Sequence, residues 1–124
     1  MDILELSPQE YHKQRDEKRY REREVLRLKR LTDAREAILR LAPHLLAIEA
    51  VYLFGSIMKP GRYRLQSDID VAIVCEDIAT EFRFWRELEQ ALEWNVDVRP
   101  YEPPLVQEIS DYGEQVYERE NADS

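Results

Sequence analysis

Between Pro8 and Pro43 the chain contains neither Gly nor Pro. So long a stretch without a breaker predicts one continuous helix, which any fold of this chain must accommodate. Its start is marked by Ser7 as N-cap, Pro8 at the first helical position and Glu10 three residues after the cap, the pattern of a capping box. Its end is expected near Ala42, because Pro43 removes a backbone donor and crowds the preceding turn. The first half, Tyr11 to Glu24, has almost no apolar side chains. In the second half Leu28, Leu31, Ala34, Ile38, Leu41 and Leu45 recur at three- and four-residue steps, so only that half has an obvious face to bury.

Charge divides the chain in the same place. Residues 1–45 hold 11 Lys or Arg against 9 Asp or Glu, and the remainder holds 7 against 17, giving +2 and −10. A body this acidic repels polyanions, so sequence-independent binding of nucleic acid is not expected unless the helix supplies it. Lys13 to Arg30, with 9 basic and 4 acidic residues, reads first as a solvated helix, next as an arm that binds a partner and third as an RNA contact. At 124 residues, the chain is expected to form one fold: an N-terminal helical extension over 1–45 and a single domain over 46–124. The single Cys75 allows no intrachain disulfide, and no signal-like or membrane-length apolar run is present. A soluble, cytoplasmic protein is expected.

Beyond the helix, short apolar runs alternate with helical patterns. Ala50 to Phe54 suits a buried strand ended by Gly55, Ile69 to Val74 a second strand, and Val96 to Val98 a third. A helix is predicted from about Thr80 to Glu93, with Phe82, Trp85, Leu88 and Leu92 on one stripe. Pro103 and Pro104 open a last helix, whose buried stripe is expected to be Leu105, Ile109, Tyr112 and Val116, with Gly113 left unexplained inside it. The class is α/β (α+β), a short mixed sheet flanked by helices.

Three features carry the chemistry: Gly55-Ser56 after the first strand, Ser67-Asp68-Ile69-Asp70 opening the second, and Asp97 in the third. Asp68 and Asp70 are two apart, so strand alternation directs both carboxylates to one side of the sheet. Asp97 interrupts an apolar strand, where an uncompensated carboxylate costs several kcal/mol. If its strand neighbours that of Asp68, facing side chains approach within about 5 Å, close enough for three carboxylates to hold one or two divalent ions. Mg²⁺ suits such a site, since it accepts one or two carboxylates and completes its shell with water and substrate phosphates. Gly55 lets backbone approach a phosphate, free N–H groups at a following helix start attract anions, and Ser56 adds a hydroxyl. In-line phosphoryl transfer from a nucleoside triphosphate fits this set, with Asp97 helping to activate the acceptor hydroxyl. His12, His44 and Cys75 lack partners at ligand spacing and read as structural or surface residues.

From about Ile48 to Tyr117 the chain resembles the minimal nucleotidyltransferases of the polymerase-β superfamily, through Leu53-Phe54-Gly55-Ser56, Ser67-Asp68-Ile69-Asp70-Val71-Ala72-Ile73 and Asp97-Val98. The resemblance implies a polymerase-β-like fold, ATP as substrate, Mg²⁺ at Asp68, Asp70 and Asp97, and nucleotide contacts from Gly55, Ser56, Lys59 and Ser67. It further implies an antitoxin that pairs with a HEPN-domain ribonuclease toxin and transfers AMP to a tyrosine of that partner. The family loop commonly begins Gly-Ser-Arg-Ala-Arg-Gly. Here Ile57 stands in place of the first Arg, the loop is one residue longer, and Lys59, Arg62 or Arg64 are the candidates to replace the missing contact. Two other functions stay open from the residues alone. One is a binding module that neutralises its partner by occlusion; the other is a small-molecule nucleotidyltransferase completed by a second subunit.

Overall fold

A computed structural model describes residues 5–120. Its first element, α1 (Pro8–Leu41), opens with the capping box: Ser7 Oγ accepts from the Glu10 amide at 3.2 Å, and Glu10 Oε2 accepts from the Ser7 amide at 3.1 Å. A 3₁₀ turn over Ala42–His44 then leads into β1 (Ile48–Phe54). The rest follows as β2 (Ile69–Cys75), α2 (Ile78–Leu92), β3 (Val96–Pro100), α3 (Leu105–Tyr112) and β4 (Glu114–Glu118). The four strands form one mixed sheet in the order β3-β2-β1-β4. β1 runs antiparallel to both β2 and β4, and β2 runs parallel to β3. No helix among the described residues is long and apolar enough to cross a membrane.

Strand alternation gives the sheet two different faces. Val51, Leu53, Ile69, Val71, Ile73, Val96 and Val98 point into the main core, where Leu31, Ala34, Ala37 and Ile38 of α1 meet Phe84 and Leu88 of α2. The second half of α1 is therefore one wall of the same core as the sheet. The opposite face carries a smaller cluster of Phe54, Ala72 and Ile109, edged by Tyr52, Tyr101 and Leu105 under α3.

Three expectations are corrected. The last helix does not continue to Val116. It stops at Tyr112, which is 60% exposed, and Val116 packs on the main core from β4. Gly113 marks the break, since a Cβ there would lie 2.8 Å from Ile109 Cα and 2.9 Å from the Leu53 carbonyl. That close backbone approach lets the chain leave α3 and pair at once with β1, and tertiary pairing overrides the local helical pattern. On α2, Phe82 is 57% exposed and Phe84 with Leu88 forms the buried pair. On α1, Leu28 is 53% exposed, and the stripe of Leu31, Ala34 and Ile38 extends back by one four-residue step to Arg27, which is only 8% exposed.

Candidate active site

The acidic residues are brought together by the parallel pairing of β2 and β3. Ile69 opposes Val96, and Asp70 opposes Asp97. Since Ile69, Val71, Val96 and Val98 fill the core side, Asp70 and Asp97 project side by side from the other face. Asp68 precedes the strand by one residue, is exposed, and its charge acts on Asp70. The start of β3 is anchored from α2, where Trp85 Nε1 donates to the Val96 carbonyl at 2.6 Å and the Val96 amide donates to Glu89 at 3.1 Å. Trp94 Nε1, donating to the Ser67 carbonyl at 2.8 Å, anchors the approach to β2.

The electrostatics of this corner are unfavourable as they stand. Burial and the adjacent Asp97 carboxylate, opposed by Arg99 and reinforced by Asp68 and Glu108, push the Asp70 carboxyl from 3.8 up to about 6. Asp97 itself accepts from Arg99 Nε at 2.9 Å. Among the described residues no three His, Cys, Asp or Glu side chains already enclose a space for an ion. The donor set nevertheless suits a hard divalent cation. It consists of carboxylate oxygens only, and the half-buried member, Asp70, has neighbours that oppose its charge and that a cation would offset.

Beside the carboxylates, β1 ends at Phe54, which is paired with Asp70, and the backbone turns at Gly55 with φ 77°. A Cβ at Gly55 would collide with Asp70 Oδ2, so only glycine fits both the turn and the approach of the carboxylate. The expected helix start after this glycine is a single 3₁₀ turn, Gly55–Met58, too short to contribute much of a helix dipole. Positive charge comes instead from side chains. Ser56, Lys59, Arg62 and Tyr112 line a cleft of about 450 Å³. Lys59 Nζ lies 3.5 Å from Glu108 and 5.1 Å from the centre of the Tyr112 ring. Of the three candidates to replace the missing loop Arg, Lys59 and Arg62 line this cleft, whereas Arg64 Nη1 donates to the Gly61 carbonyl at 2.8 Å. Ser67 Oγ accepts from the Arg64 amide at 3.0 Å and so braces the loop before β2.

Sequence reading missed Glu108, Arg99 and Tyr112. Arg99 was within reach, because Asp97 and Arg99 alternate on β3. Glu108 and Tyr112 join the site only through the packing of α3, which leaves no local signal.

The family model described as "Polymerase beta, Nucleotidyltransferase" matches residues 36–122, well over half the chain, and includes every residue of this corner. The chain belongs to the polymerase-β nucleotidyltransferases. Comparison with curated proteins returns no match. Among solved structures, this nucleotidyltransferase is similar to a toxin–antitoxin crystal structure with AMP-PNP, at 25% identity and TM-score 0.56 over 69% of this chain and 74% of that one. A mutant MntA–HpeT toxin–antitoxin structure matches at 22% identity and TM-score 0.56, over the same shares. A tri-AMPylated Shewanella oneidensis HEPN toxin in complex with MNT antitoxin matches at 23% identity and TM-score 0.51, over 73% of each chain. The fold expected from the sequence, a short mixed sheet between helices in the polymerase-β manner, is the fold found.

Proposed function

We propose that this nucleotidyltransferase is the antitoxin of a HEPN toxin and transfers AMP from ATP to a hydroxyl of that partner, a tyrosine, in the cytoplasm. The observation that carries the reading is the in-register pair Asp70 and Asp97, set on one sheet face beside the Gly55-Ser56 turn and the cationic cleft. It is supported by the likeness to a structure whose HEPN toxin is tri-AMPylated and to one that contains AMP-PNP.

Asp68, Asp70 and Asp97 would hold Mg²⁺, as two ions, and the metal would supply charge neutralisation along the triphosphate and acidify the attacking hydroxyl. The chain's own groups do the rest. The Ser56 hydroxyl, Lys59 and Arg62 line the cleft where phosphate oxygens are held, and Gly55 keeps backbone close to them. Asp97, oriented by its bond from Arg99, accepts the proton of the acceptor hydroxyl. The α- to β-phosphoryl bond breaks as the acceptor oxygen bonds the α-phosphorus, and pyrophosphate leaves. The cleft is shallow, edged by the exposed Tyr112, so the acceptor is a residue presented by another protein rather than an enclosed small molecule.

The test is to incubate the protein with α-labelled ATP, Mg²⁺ and the product of the adjacent gene. Label on a partner tyrosine, lost in Asp70→Asn, is the expected result. Full neutralisation of the partner by Asp68→Asn and Asp70→Asn proteins that transfer no label would replace this reading with occlusion.

A further inference from the structure

The nucleotide loop is not held by the sheet alone. Between Gly55 and Arg62 its backbone makes two bonds to side chains of α1. Arg27 Nη1 donates to the Ile57 carbonyl at 3.0 Å, and the Gly61 amide donates to Glu24 Oε1 at 3.0 Å. The two side chains are joined to each other, with Arg27 Nε 2.6 Å from Glu24 Oε2 and their side chains 10% and 17% exposed. Tyr20 completes the set. Its hydroxyl donates to Glu24 Oε1 at 3.2 Å, and its ring lies where a Cβ on Gly61 would come within 3.0 Å. The other ion pairs within α1, such as Lys29 with Asp33 and Lys18 with Glu22, sit largely in solvent.

The two anchor points lie next to groups that line the cleft. Ile57 directly follows Ser56, and Gly61 directly precedes Arg62. Arginine suits the task because its fork reaches an acceptor on each side at once, which a lysine ammonium on a single stem does not reproduce. We infer that Glu24 and Arg27 of α1 are positioning residues for nucleotide binding: they clamp both ends of the Ser56–Arg62 loop and hold its hydroxyl and cations toward the cleft. This gives α1 a part in the active site although it contributes no group to the cleft, and it rests on the nucleotide site proposed above.

The experiment measures binding of AMP-PNP with Mg²⁺ by titration calorimetry, alongside ¹⁵N amide spectra. The chain has 3 glycines, so Gly55 and Gly61 are readily assigned reporters of the loop. Arg27→Met and Glu24→Ala are expected to weaken binding about tenfold, since small misplacements of a supporting shell cost this much or more. Glu24→Gln keeps an acceptor for the Gly61 amide and is expected to lose only about threefold. In each variant the Gly61 amide signal moves in proportion to the loss, while β2 amides stay in place; Lys29→Ala, on the exposed part of α1, changes neither. Folded variants that bind as tightly as the wild type overturn the inference. If Arg27→Met does not fold, Arg27→Lys and Glu24→Gln carry the same test, and unchanged affinity with a shifted Gly61 amide overturns it equally. Failure of the wild type to bind AMP-PNP overturns the nucleotide site itself and the inference with it.

Discussion

Asp70 is ionised against the preference of its surroundings, and this makes stability depend on pH in a direction opposite to that of an ordinary paired carboxylate. Its folded value of about 6 lies above its ordinary 3.8. Between these values the native state binds more protons than the unfolded one, so stability falls as pH rises through that window and levels off above it. Asp70→Asn removes the penalty. The variant is expected to exceed the wild type above pH ~6, by on the order of 1 kcal/mol once solvent screening of a half-buried group is allowed for, and to match it below pH ~4. Urea melts at both pH values, without divalent metal, check this; equal differences at the two would remove the electrostatic account. In the proposed transfer the effect runs the other way, because protonation of Asp70 competes with a cation, so the Mg²⁺ concentration needed is expected to rise steeply below pH ~6.

At the scale of elements, α1 is one helix with two jobs divided near Arg27. Its later half seats Leu31, Ala34 and Ile38 in the main core, so Leu31→Ala is expected to cost about 2–4 kcal/mol by leaving a cavity. Tyr11→Ala in the exposed half is expected to change stability by less than about 0.5 kcal/mol. Chemical denaturation of the two variants tests the division. The α3 to β4 junction is equally specific. Gly113→Ala places a methyl against Ile109 Cα and the Leu53 carbonyl, both backbone, and is expected to destabilise by about 1–3 kcal/mol despite a higher helix propensity. A stabilised Gly113→Ala protein would mean that this end of α3 readily extends.

Across the whole molecule, the last strand ties the long helix back to the sheet. Arg35 on α1 pairs with Glu114 on β4 through two bonds of 2.6 and 3.0 Å. Arg119, just past β4, donates to the carbonyls of Ile48 at 2.9 Å and Leu45 at 3.1 Å, and its Nη2 also reaches Ala42 at 3.4 Å. A cation there adds a further bond to carbonyls that already close the 3₁₀ turn and the entry to β1, fastening the end of β4 to the junction of α1 and β1. Arg119→Ala is expected to lower unfolding free energy by about 1–3 kcal/mol, more than loss of the exposed Lys29–Asp33 pair, and thermal denaturation ranks the two.

What could be read from the amino acids alone was what depends on neighbours in the chain. The breaker-free run and the capping box determine α1. The apolar run after Asp68 determines β2, and Gly55-Ser56 after an apolar run marks the turn. What the tertiary structure decided was everything that needs distant segments to meet. Parallel pairing put Asp97 opposite Asp70 rather than on another face. Pairing with β1 drew Glu114–Glu118 out of a helical pattern, and packing of α3 brought Glu108 and Tyr112 to the site. Arg27, which in a one-dimensional reading is one more charge on a solvated helix, became a buried clamp because its carbonyl partner arrives from 30 residues away. Local periodicity records which face a residue takes, but the partner that meets it there is set by the energy of the assembled core.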